Sequence, residues 1–157
     1  MSNDKKQAKY LNSPEHPLYH KSSVLYGIHR AALAIQKKNN VFLVEGYLDV
    51  IRMYEFGIMN TVAGCGTAFT QEHAKKLKKL TENVTLLADG DDAGRKAALK
   101  AVDIFLAEGL NVFVIELPDQ HDPDSFLLPY ACFSHINFTE YFDSNKEDAV
   151  IWKSEDI

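Results

Sequence analysis

The fold is decided by the stretch Asn83-Val84-Thr85-Leu86-Leu87-Ala88-Asp89-Gly90-Asp91-Asp92-Ala93-Gly94-Arg95, in which a short apolar run ends in three carboxylates. A helix-like pattern follows these carboxylates at once. Like charges placed this close together repel one another, and a bound positive charge relieves the repulsion. The Asp-Gly-Asp sequence is a weak signal by itself. Two further acid groups, Glu45 with Asp49 and Asp122 with Asp124, strengthen it because they also follow short apolar runs.

Short apolar runs alternate with helical patterns on both sides of this stretch. Strands are expected at 41–44, 58–63, 84–88 and 112–117, and helices at 22–38 (with Ser22 or Ser23 as cap), 48–55, 70–80 and 91–108. This alternation predicts an α/β fold with a mainly parallel, four-stranded sheet that helices cover on both faces. Ligands of such sheets bind beyond the carboxyl ends of the strands. Glu45 ends the first strand, Asp89 ends the third, and the Asp122 group lies just beyond the fourth, so one sheet edge is predicted to collect all three acid groups.

The chain divides into three segments by composition. Residues 1–21 are polar and contain two prolines, which favours an extended arm, with a solvated tail as the alternative. Residues 22–130 carry the alternating pattern and are expected to form the main domain, which ends in a short helix from Ser125 that Pro129 interrupts. Residues 131–157 are expected to form a helical tail, with a capping box from Ser144 to Glu147 and Trp152 packed inward.

Composition excludes several classes of protein. The 157 residues, 46% hydrophobic and 25% charged, are typical of one globular domain. No apolar run approaches about 18 residues, and the N-terminal residues lack the apolar middle of a signal peptide, so no membrane segment is expected. Cys65 and Cys132 are far apart and the six histidines are scattered, which gives no zinc-site spacing. This cysteine usage fits a reducing, cytoplasmic setting.

The net charge of −5 comes from 22 acidic and 17 basic residues. Without the six acids of the three groups, 16 acids remain against 17 bases. The acidity therefore indicates a local cation site and not a generally acidic surface. The remainder of the chain is equally unlike the uniformly basic body of a protein that grips nucleic acid alone.

Carboxylates without histidine or cysteine are typical of sites for Mg²⁺ or Mn²⁺ and not of zinc sites. The candidate ligands are Glu45, Asp49, Asp89, Asp91, Asp122 and Asp124. Two ions about 3.5–4 Å apart can activate an attacking hydroxyl and steady a leaving pyrophosphate. Glu45, one methylene longer than aspartate, is expected to bind metal through water or to accept the hydroxyl proton. Gly46 and Gly90 allow backbone or phosphate to approach closely.

Each acid group also has a purely structural interpretation. Asp89-Gly-Asp91 can be a turn followed by a helix N-cap, and Asp92 suits the dipole of a first helical turn. Asp122-Pro-Asp124 alone is more often a turn than a ligand pair, and Asp49 would ordinarily be a solvated helix residue. The Gly64-x-Gly66 spacing is a weak phosphate-loop signal. These alternatives stay open residue by residue, and the shared sheet edge favours the metal interpretation.

Three motifs resemble those of a known family. Glu45-Gly-Tyr-Leu-Asp49-Val, Asp89-Gly-Asp91-x-Ala-Gly94 and Asp122-Pro-Asp124 are similar to the motifs of the TOPRIM domain in bacterial DnaG-type DNA primases. Lys9-Tyr-Leu-Asn-Ser-Pro-Glu, Tyr19-His-Lys21 and Leu25-Tyr-Gly27 resemble the stretch that leads into this domain, and Gly66-Thr67-Ala68 resembles its loop after the second strand. The resemblance covers about residues 9–128, and the leading stretch favours primase over topoisomerase.

The resemblance implies a Rossmann-like TOPRIM fold and Mg²⁺-dependent nucleotidyl transfer that makes RNA primers on single-stranded DNA during bacterial replication. It implies catalytic roles for Glu45, Asp89 and Asp91, with Glu45 as general base or indirect ligand and the aspartates as metal ligands. It implies contacts to nucleotide or nucleic acid at Lys9, Asn12, Lys21, Gly46, Gly66 and Thr67. Asp92 stands where relatives often carry a basic residue, and Cys65 stands where an apolar one is expected.

The implied partners are template DNA, nucleoside triphosphates and the RNA primer in a full-length protein, and a replicative helicase through domains that this sequence lacks. Neither a Cys/His zinc motif nor the larger basic subdomain of the family is present, so residues 1–21 are interpreted as a remnant of that subdomain. The chain is expected to be an excised fragment or a stand-alone relative, and to prime poorly or not at all alone. The alternatives are a TOPRIM nuclease or topoisomerase-like protein, for which no tyrosine is marked as nucleophile, and a non-catalytic metal- or nucleotide-binding module.

Overall fold

A five-stranded sheet lies at the centre of the structure, a computed structural model that describes residues 23–133 and 136–155. Its strands are β1 Val41–Val44, β2 Thr61–Ala63, β3 Asn83–Ala88, β4 Asn111–Glu116 and β5 Glu147–Asp148. They lie in the order β2-β1-β3-β4-β5, with the first four parallel and β5 antiparallel to β4. The predicted mainly parallel α/β sheet is confirmed. The predicted count of four strands is wrong, since β5 adds a fifth.

Seven helices cover both faces of the sheet within the described ranges. They are α1 Ile28–Lys38, α2 Tyr47–Glu55, α3 Gln71–Lys78, α4 Asp92–Ala107, α5 Pro123–Leu127, α6 Phe138–Asn145 and α7 Ala149–Ser154. One hydrophobic cluster joins the sheet to α1, α3, α4 and α7, and a second joins it to α2, α5 and α6. No described helix combines the length and the apolar character that crossing a membrane requires.

Strand β1 is buried along its whole length because both of its faces pack against helices. Val41 and Leu43 lie in the first cluster, and Phe42 and Val44 lie in the second. This explains the unbroken apolar run, which is typical of strands that are covered on both sides. The second strand is shorter than expected, since pairing begins only at Thr61.

Helix α1 begins four or five residues later than the sequence predicted, because its N-cap is Gly27 and not Ser22 or Ser23. Gly27 precedes it in a left-handed conformation with φ of 83°. The backbone of Tyr26 pairs with Ala63 at the edge of β2, with its N–H 2.8 Å from the Ala63 carbonyl oxygen. The chain therefore turns from an edge pairing into the helix at Gly27. Ser22 and the expected arm at 1–21 lie outside the described residues.

The C-terminal segment differs from its prediction in two respects, the first of which is strand β5 within the expected helical tail. The capping box proposed at Ser144 is wrong, because Ser144 lies inside α6 and Glu147 begins β5. Asp148 instead caps α7, where its side chain accepts a hydrogen bond of 2.9 Å from the Val150 N–H. The expected burial of Trp152 is confirmed, with 2% of its surface exposed. Helix α5 begins at Pro123, earlier than expected, and continues as a 3₁₀ turn at Leu128–Tyr130.

Candidate metal centre

The carboxylates follow the carboxyl ends of β1, β3 and β4, as the parallel topology requires. Short backbone hydrogen bonds fix the loops that carry them. The Gly90 N–H donates to the His121 carbonyl at 2.8 Å, and the Gln120 N–H donates to the Gly90 carbonyl at 2.7 Å. The loop after β3 is thereby joined to the loop after β4. The Cys65 N–H donates to the Glu45 carbonyl at 3.1 Å, which joins the end of β1 to the loop after β2.

Asp89 lies at the electrostatic centre of the site. Its Oδ1 atom is buried and has no hydrogen-bond partner among the described residues. Burial, together with the charges of Glu45, Asp49, Asp122 and Asp91, raises the pKa of Asp89 to about 8. The Glu45 side chain forms a hydrogen bond with Asp89, although burial and the charges of Asp91 and Asp122 raise the Glu45 pKa on balance. A cation bound here would offset the repulsion between the carboxylates and would give the buried Asp89 oxygen a partner.

Asp49 is a buried residue of the site and not a solvated helix residue. The residue is 7% exposed, and its carboxylate accepts two backbone hydrogen bonds, one from the Gly46 N–H and one from the Asp124 N–H, both at 3.1 Å. Burial raises its pKa to about 6, with the Asp122 charge as a further cause, while the two hydrogen bonds oppose the shift. Asp49 therefore joins the first turn of α2 to the first turn of α5.

Asp91 and Asp122 both serve as helix N-caps. Asp91 accepts a hydrogen bond of 2.6 Å from the Gly94 N–H, and Asp122 accepts one of 2.7 Å from the Ser125 N–H. The structural interpretation is thus correct for both residues. It does not remove them from the site, because their charges still act on Asp89. Asp92 is the exposed first residue of α4, as its dipole interpretation predicted.

Asp124 forms an ion pair that the sequence reasoning missed. The Arg52 Nε atom lies 2.8 Å from Asp124 Oδ1, and Arg52 Nη1 lies 2.6 Å from the Glu55 carboxylate. A sequence signal did exist, because Arg52 is the one basic residue between Glu45 and Glu55. It also lies three residues after Asp49, a spacing that places the two side chains on the same side of a helix. Asp124 is therefore neutralised by protein and is the acid least in need of a metal.

Two glycines of the Asp89 motif allow the backbone around Asp89 to pack closely. A Cβ atom on Gly90 would lie 2.0 Å from the Pro118 carbonyl oxygen, and one on Gly94 would lie 2.5 Å from the Asp89 carbonyl oxygen. Both distances are far below van der Waals contact, so larger residues would displace the loop. Glycine at these two positions holds Asp89 between the loop after β4 and the first turn of α4.

Gly66 and Thr67, expected to contact nucleotide, lie in the loop after β2. They line a groove of about 580 Å³ that reaches Glu45. Gly46 is the N-cap of α2, and its N–H is engaged by Asp49. Cys65, which precedes Gly66, is half-buried. Because burial raises the pKa of its thiol to about 11, it acts as a small apolar side chain. Lys9, Asn12 and Lys21 lie outside the described residues.

The donor chemistry fits a hard divalent cation, although the carboxylates do not form a ready-made cage. Within 23–133 and 136–155, no three His, Cys, Asp or Glu side chains are arranged to hold a metal ion. Asp91 and Asp122 are engaged as helix caps, and Asp124 is engaged in an ion pair. Mg²⁺ usually keeps several waters and takes one or two carboxylates together with substrate phosphates. The unpaired oxygen of Asp89, with Glu45 beside it, meets that smaller requirement.

Comparisons with known proteins agree with one another. A family model described as Toprim-like matches residues 42–127, and one described as the N-terminal domain of the DNA primase catalytic core matches residues 1–32. A DNA primase from Staphylococcus epidermidis is 41% identical over 147 residues, which make up 94% of this chain and 24% of that protein. The chain thus spans about a quarter of the length of the curated relatives it matches.

Two solved structures extend this likeness to the fold. A DNA primase domain from Pseudomonas aeruginosa has a TM-score of 0.85 at 35% identity, covering 99% of this chain and 48% of that one. A DnaG primase catalytic domain bound to ssDNA has a TM-score of 0.71 at 39% identity, covering 78% of this chain and 41% of that one.

Proposed function

The chain belongs to the Toprim-like family and is similar over most of its length to DnaG-type DNA primases, and from this we propose that it forms the metal-binding part of a primase. In this proposal, carboxylates at the carboxyl edge of the sheet bind Mg²⁺, or Mn²⁺ in its place. The bound metal would take part in nucleotidyl transfer, which extends an RNA primer on single-stranded DNA.

The observation that carries the proposal is the buried, unpaired Oδ1 of Asp89 among four other carboxylates. A purely structural cluster would leave this oxygen without a partner and the charges without compensation, which is costly. Asp89 and Glu45 are the proposed first ligands, and Asp91 and Asp122 add negative charge. Asp49 and Asp124 have backbone and Arg52 partners of their own, so their contribution is to position α2 and α5.

The chain's own groups have distinct roles in the proposed reaction. A bound cation would stabilise the attacking oxygen and the leaving pyrophosphate. Glu45 is proposed to accept the proton of the primer hydroxyl, and its raised pKa, which burial causes, supports a role as general base. The backbone contacts at Gly90 and Gly94 hold Asp89 in place, so that the ligand does not have to be ordered again in each cycle.

The proposed partners follow from the relatives. The ssDNA bound to the DnaG catalytic domain supports single-stranded DNA as the template here. Nucleoside triphosphates and the RNA primer are then the substrates, and a replicative helicase would bind through parts of a longer protein. The remainder of a primase is proposed to hold the template, because the residues of this chain outside the site carry almost no net charge.

Direct metal binding tests the proposal. We expect Mn²⁺, followed by the electron paramagnetic resonance of the free ion, to bind the wild-type chain, and Asp89→Asn to weaken that binding at least about tenfold. Asp143→Asn is the matched control, since Asp143 is an exposed acid of α6. Equal binding by wild type and Asp89→Asn would contradict the proposed site.

A second assay addresses the activity of the chain by itself. In a template-dependent primer assay with Mg²⁺, the chain is expected to make little or no RNA. Robust synthesis would contradict the proposed dependence on further primase segments. Cleavage of DNA in the same mixture with Mn²⁺ would favour a nuclease of this family instead.

A further inference from the structure

A pocket of about 570 Å³ lies at the amino edge of the sheet, the edge opposite the carboxylates. Asn40 precedes β1, Asn60 precedes β2 and Asn83 begins β3, so all three belong to this edge. Phe42 and Phe113 line the same pocket, and its volume lies within the range of small-ligand sites. The strands thus provide an amino-edge pocket that the proposed metal centre does not use.

The asparagines of the amino-edge pocket use part of each amide to hold the edge together. Asn83 Nδ2 donates to the Asn39 carbonyl at 2.8 Å, and Asn60 Nδ2 donates to the Asn40 carbonyl at 2.9 Å. The Oδ1 atoms of Asn39 and Asn40 each accept a hydrogen bond of 3.0 Å from a threonine hydroxyl. The Nδ2 groups of Asn39 and Asn40 have no acceptor within 23–133 and 136–155, so two amide donors remain for a ligand.

The charged side chains of the amino-edge pocket leave one cation without compensation. Lys38, Asp143 and Lys146 all line it. Lys146 Nζ lies 3.5 Å from Asp143 Oδ1 and 5.1 Å from the centre of the Phe113 ring, so these two charges compensate each other. Lys38 is exposed and forms no ion pair with another described residue. The free groups of the pocket therefore favour an anion.

Asn60 gives the same pocket an acceptor that lacks a donor. The residue is 1% exposed, and its Oδ1 atom is buried with no hydrogen-bond partner in the part of the chain that the structure describes. A buried acceptor without a donor costs free energy. A ligand O–H group at the bottom of the pocket would supply that donor, which a fully ionised anion cannot do.

We infer that the amino-edge pocket binds a phosphorylated sugar or polyol. Its phosphate accepts hydrogen bonds from Lys38 and from the free amides of Asn39 and Asn40, and one of its hydroxyl groups donates to Asn60. Three phosphate oxygens suit three donors better than the two oxygens of a carboxylate do, and a lysine ammonium binds phosphate as a point charge. The apolar face of the sugar then lies against Phe113.

The side-chain amide signals of the ¹⁵N-labelled full chain test this binding directly by nuclear magnetic resonance. In EDTA, we expect glucose 1-phosphate to shift the Nδ2 signals of Asn39 and Asn40, with a dissociation constant on the order of 1 mM. Methyl glucoside and inorganic phosphate are each expected to bind at least about fivefold more weakly, because each supplies only part of the contacts. Sodium chloride at the same ionic strength is the control for screening.

Lys38→Ala tests the phosphate contact. It is expected to weaken glucose 1-phosphate about threefold, as for one exposed ion pair, and to leave the affinity for methyl glucoside unchanged. Lys37→Ala is the matched control, since Lys37 is the neighbouring exposed cation of α1 and does not line the pocket. Both side chains are exposed, so neither substitution is expected to affect folding.

Several results would overturn the inference. No saturable shift of the Asn39 and Asn40 signals up to about 20 mM glucose 1-phosphate would remove the site. Equal affinity for methyl glucoside would remove the role of the phosphate, and equal affinity for inorganic phosphate would remove the hydroxyl contact. Equal effects of Lys38→Ala and Lys37→Ala would contradict the assigned position. The titration contains no divalent cation, so its outcome is independent of the proposed metal centre.

Discussion

At the scale of single residues, the site is dominated by a carboxyl group that holds a proton when no cation is bound. Asp89 has a folded-state pKa of about 8, against about 3.9 in an unfolded chain. The folded chain therefore binds more protons than the unfolded chain between these values, and stability falls as pH rises through them. The stabilisation is complete below about pH 4 and is lost as pH rises through about 8.

This difference predicts the pH dependence of the metal-free protein. In EDTA, the free energy of unfolding contributed by Asp89 is expected to fall by about 1 kcal/mol between pH 6 and pH 8, after allowance for solvent screening. Urea denaturation at the two pH values measures it, and the difference between wild type and Asp89→Asn isolates it from other groups. The same slope in both proteins would contradict the assigned protonation.

Arg52 is predicted to restrain Asp124 as a counter-ion. Its removal in Arg52→Ala leaves that carboxylate near Asp49 and Asp122 without compensation. We expect the metal-free protein to lose about 1 kcal/mol of stability, because a half-buried pair is broken. The rise in melting temperature with Mg²⁺ should grow, because the site has gained a free negative charge. Arg52→Lys is expected to have a stability and a Mg²⁺ response between those of wild type and Arg52→Ala. A smaller Mg²⁺ response in Arg52→Ala than in wild type would contradict this role.

The members of the acidic cluster could be predicted from sequence, but the ion pair of Asp124 could not. Glu45 and Asp89 were expected to meet because parallel strands end at one edge, and they form a hydrogen bond. The Arg52–Asp124 pair joins residues 72 positions apart. It depends on how α2 docks against α5, which no local pattern specifies.

At the scale of elements, the turn from β3 into α4 depends on a glycine that helix propensity would disfavour. Gly→Ala inside a helix ordinarily stabilises by up to about 1 kcal/mol. Gly94→Ala is instead expected to destabilise by about 2 kcal/mol, because its Cβ would lie 2.5 Å from the Asp89 carbonyl oxygen. It should also weaken metal binding, since Asp89 must shift.

Gly57→Ala provides the matched control for this prediction. Gly57 has φ of 78° and open space around its added Cβ, so alanine there meets backbone strain alone, about 1 kcal/mol. Thermal unfolding of both variants gives the comparison, with no change in metal affinity expected for Gly57→Ala. A stabilised Gly94→Ala would contradict the close approach at Asp89.

Elements with a strong local pattern were predicted, and those defined by long-range pairing were not. The runs at 41–44 and 84–88 specified β1 and β3 because both faces are buried. Strand β5 consists of two exposed acidic residues whose partners lie in β4. A short, charged edge strand has no apolar signal, although such edges are common. The late start of α1 likewise follows from the pairing of Tyr26 with Ala63.

At the scale of the whole molecule, residues 136–155 share the core of the sheet. Trp152 lies in the first hydrophobic cluster, and the Arg95 guanidinium carbon lies 4.7 Å from the centre of its ring. Because Trp152 is the one tryptophan of the chain, its fluorescence reports on this segment. The urea transitions by tryptophan fluorescence and by far-ultraviolet circular dichroism are expected to coincide. A fluorescence transition at lower urea would show that the segment unfolds separately and contradict a shared core.

The central claim is that Asp89 is the centre of a divalent-cation site, and its most direct test is the melting temperature of wild type and Asp89→Asn with and without metal. A cation at ten times its dissociation constant stabilises the folded state by about 1.4 kcal/mol, or about 3–6 °C for a chain of this size. The melting temperature of wild type is predicted to rise by this amount when Mg²⁺ or Mn²⁺ is added. In EDTA at about pH 8 or above, where the wild-type Asp89 carboxyl is charged and repelled by its neighbours, Asp89→Asn is predicted to melt higher than wild type, and it is predicted to gain little from metal. No shift in wild type at millimolar metal, or an equal shift in both proteins, would contradict the claim.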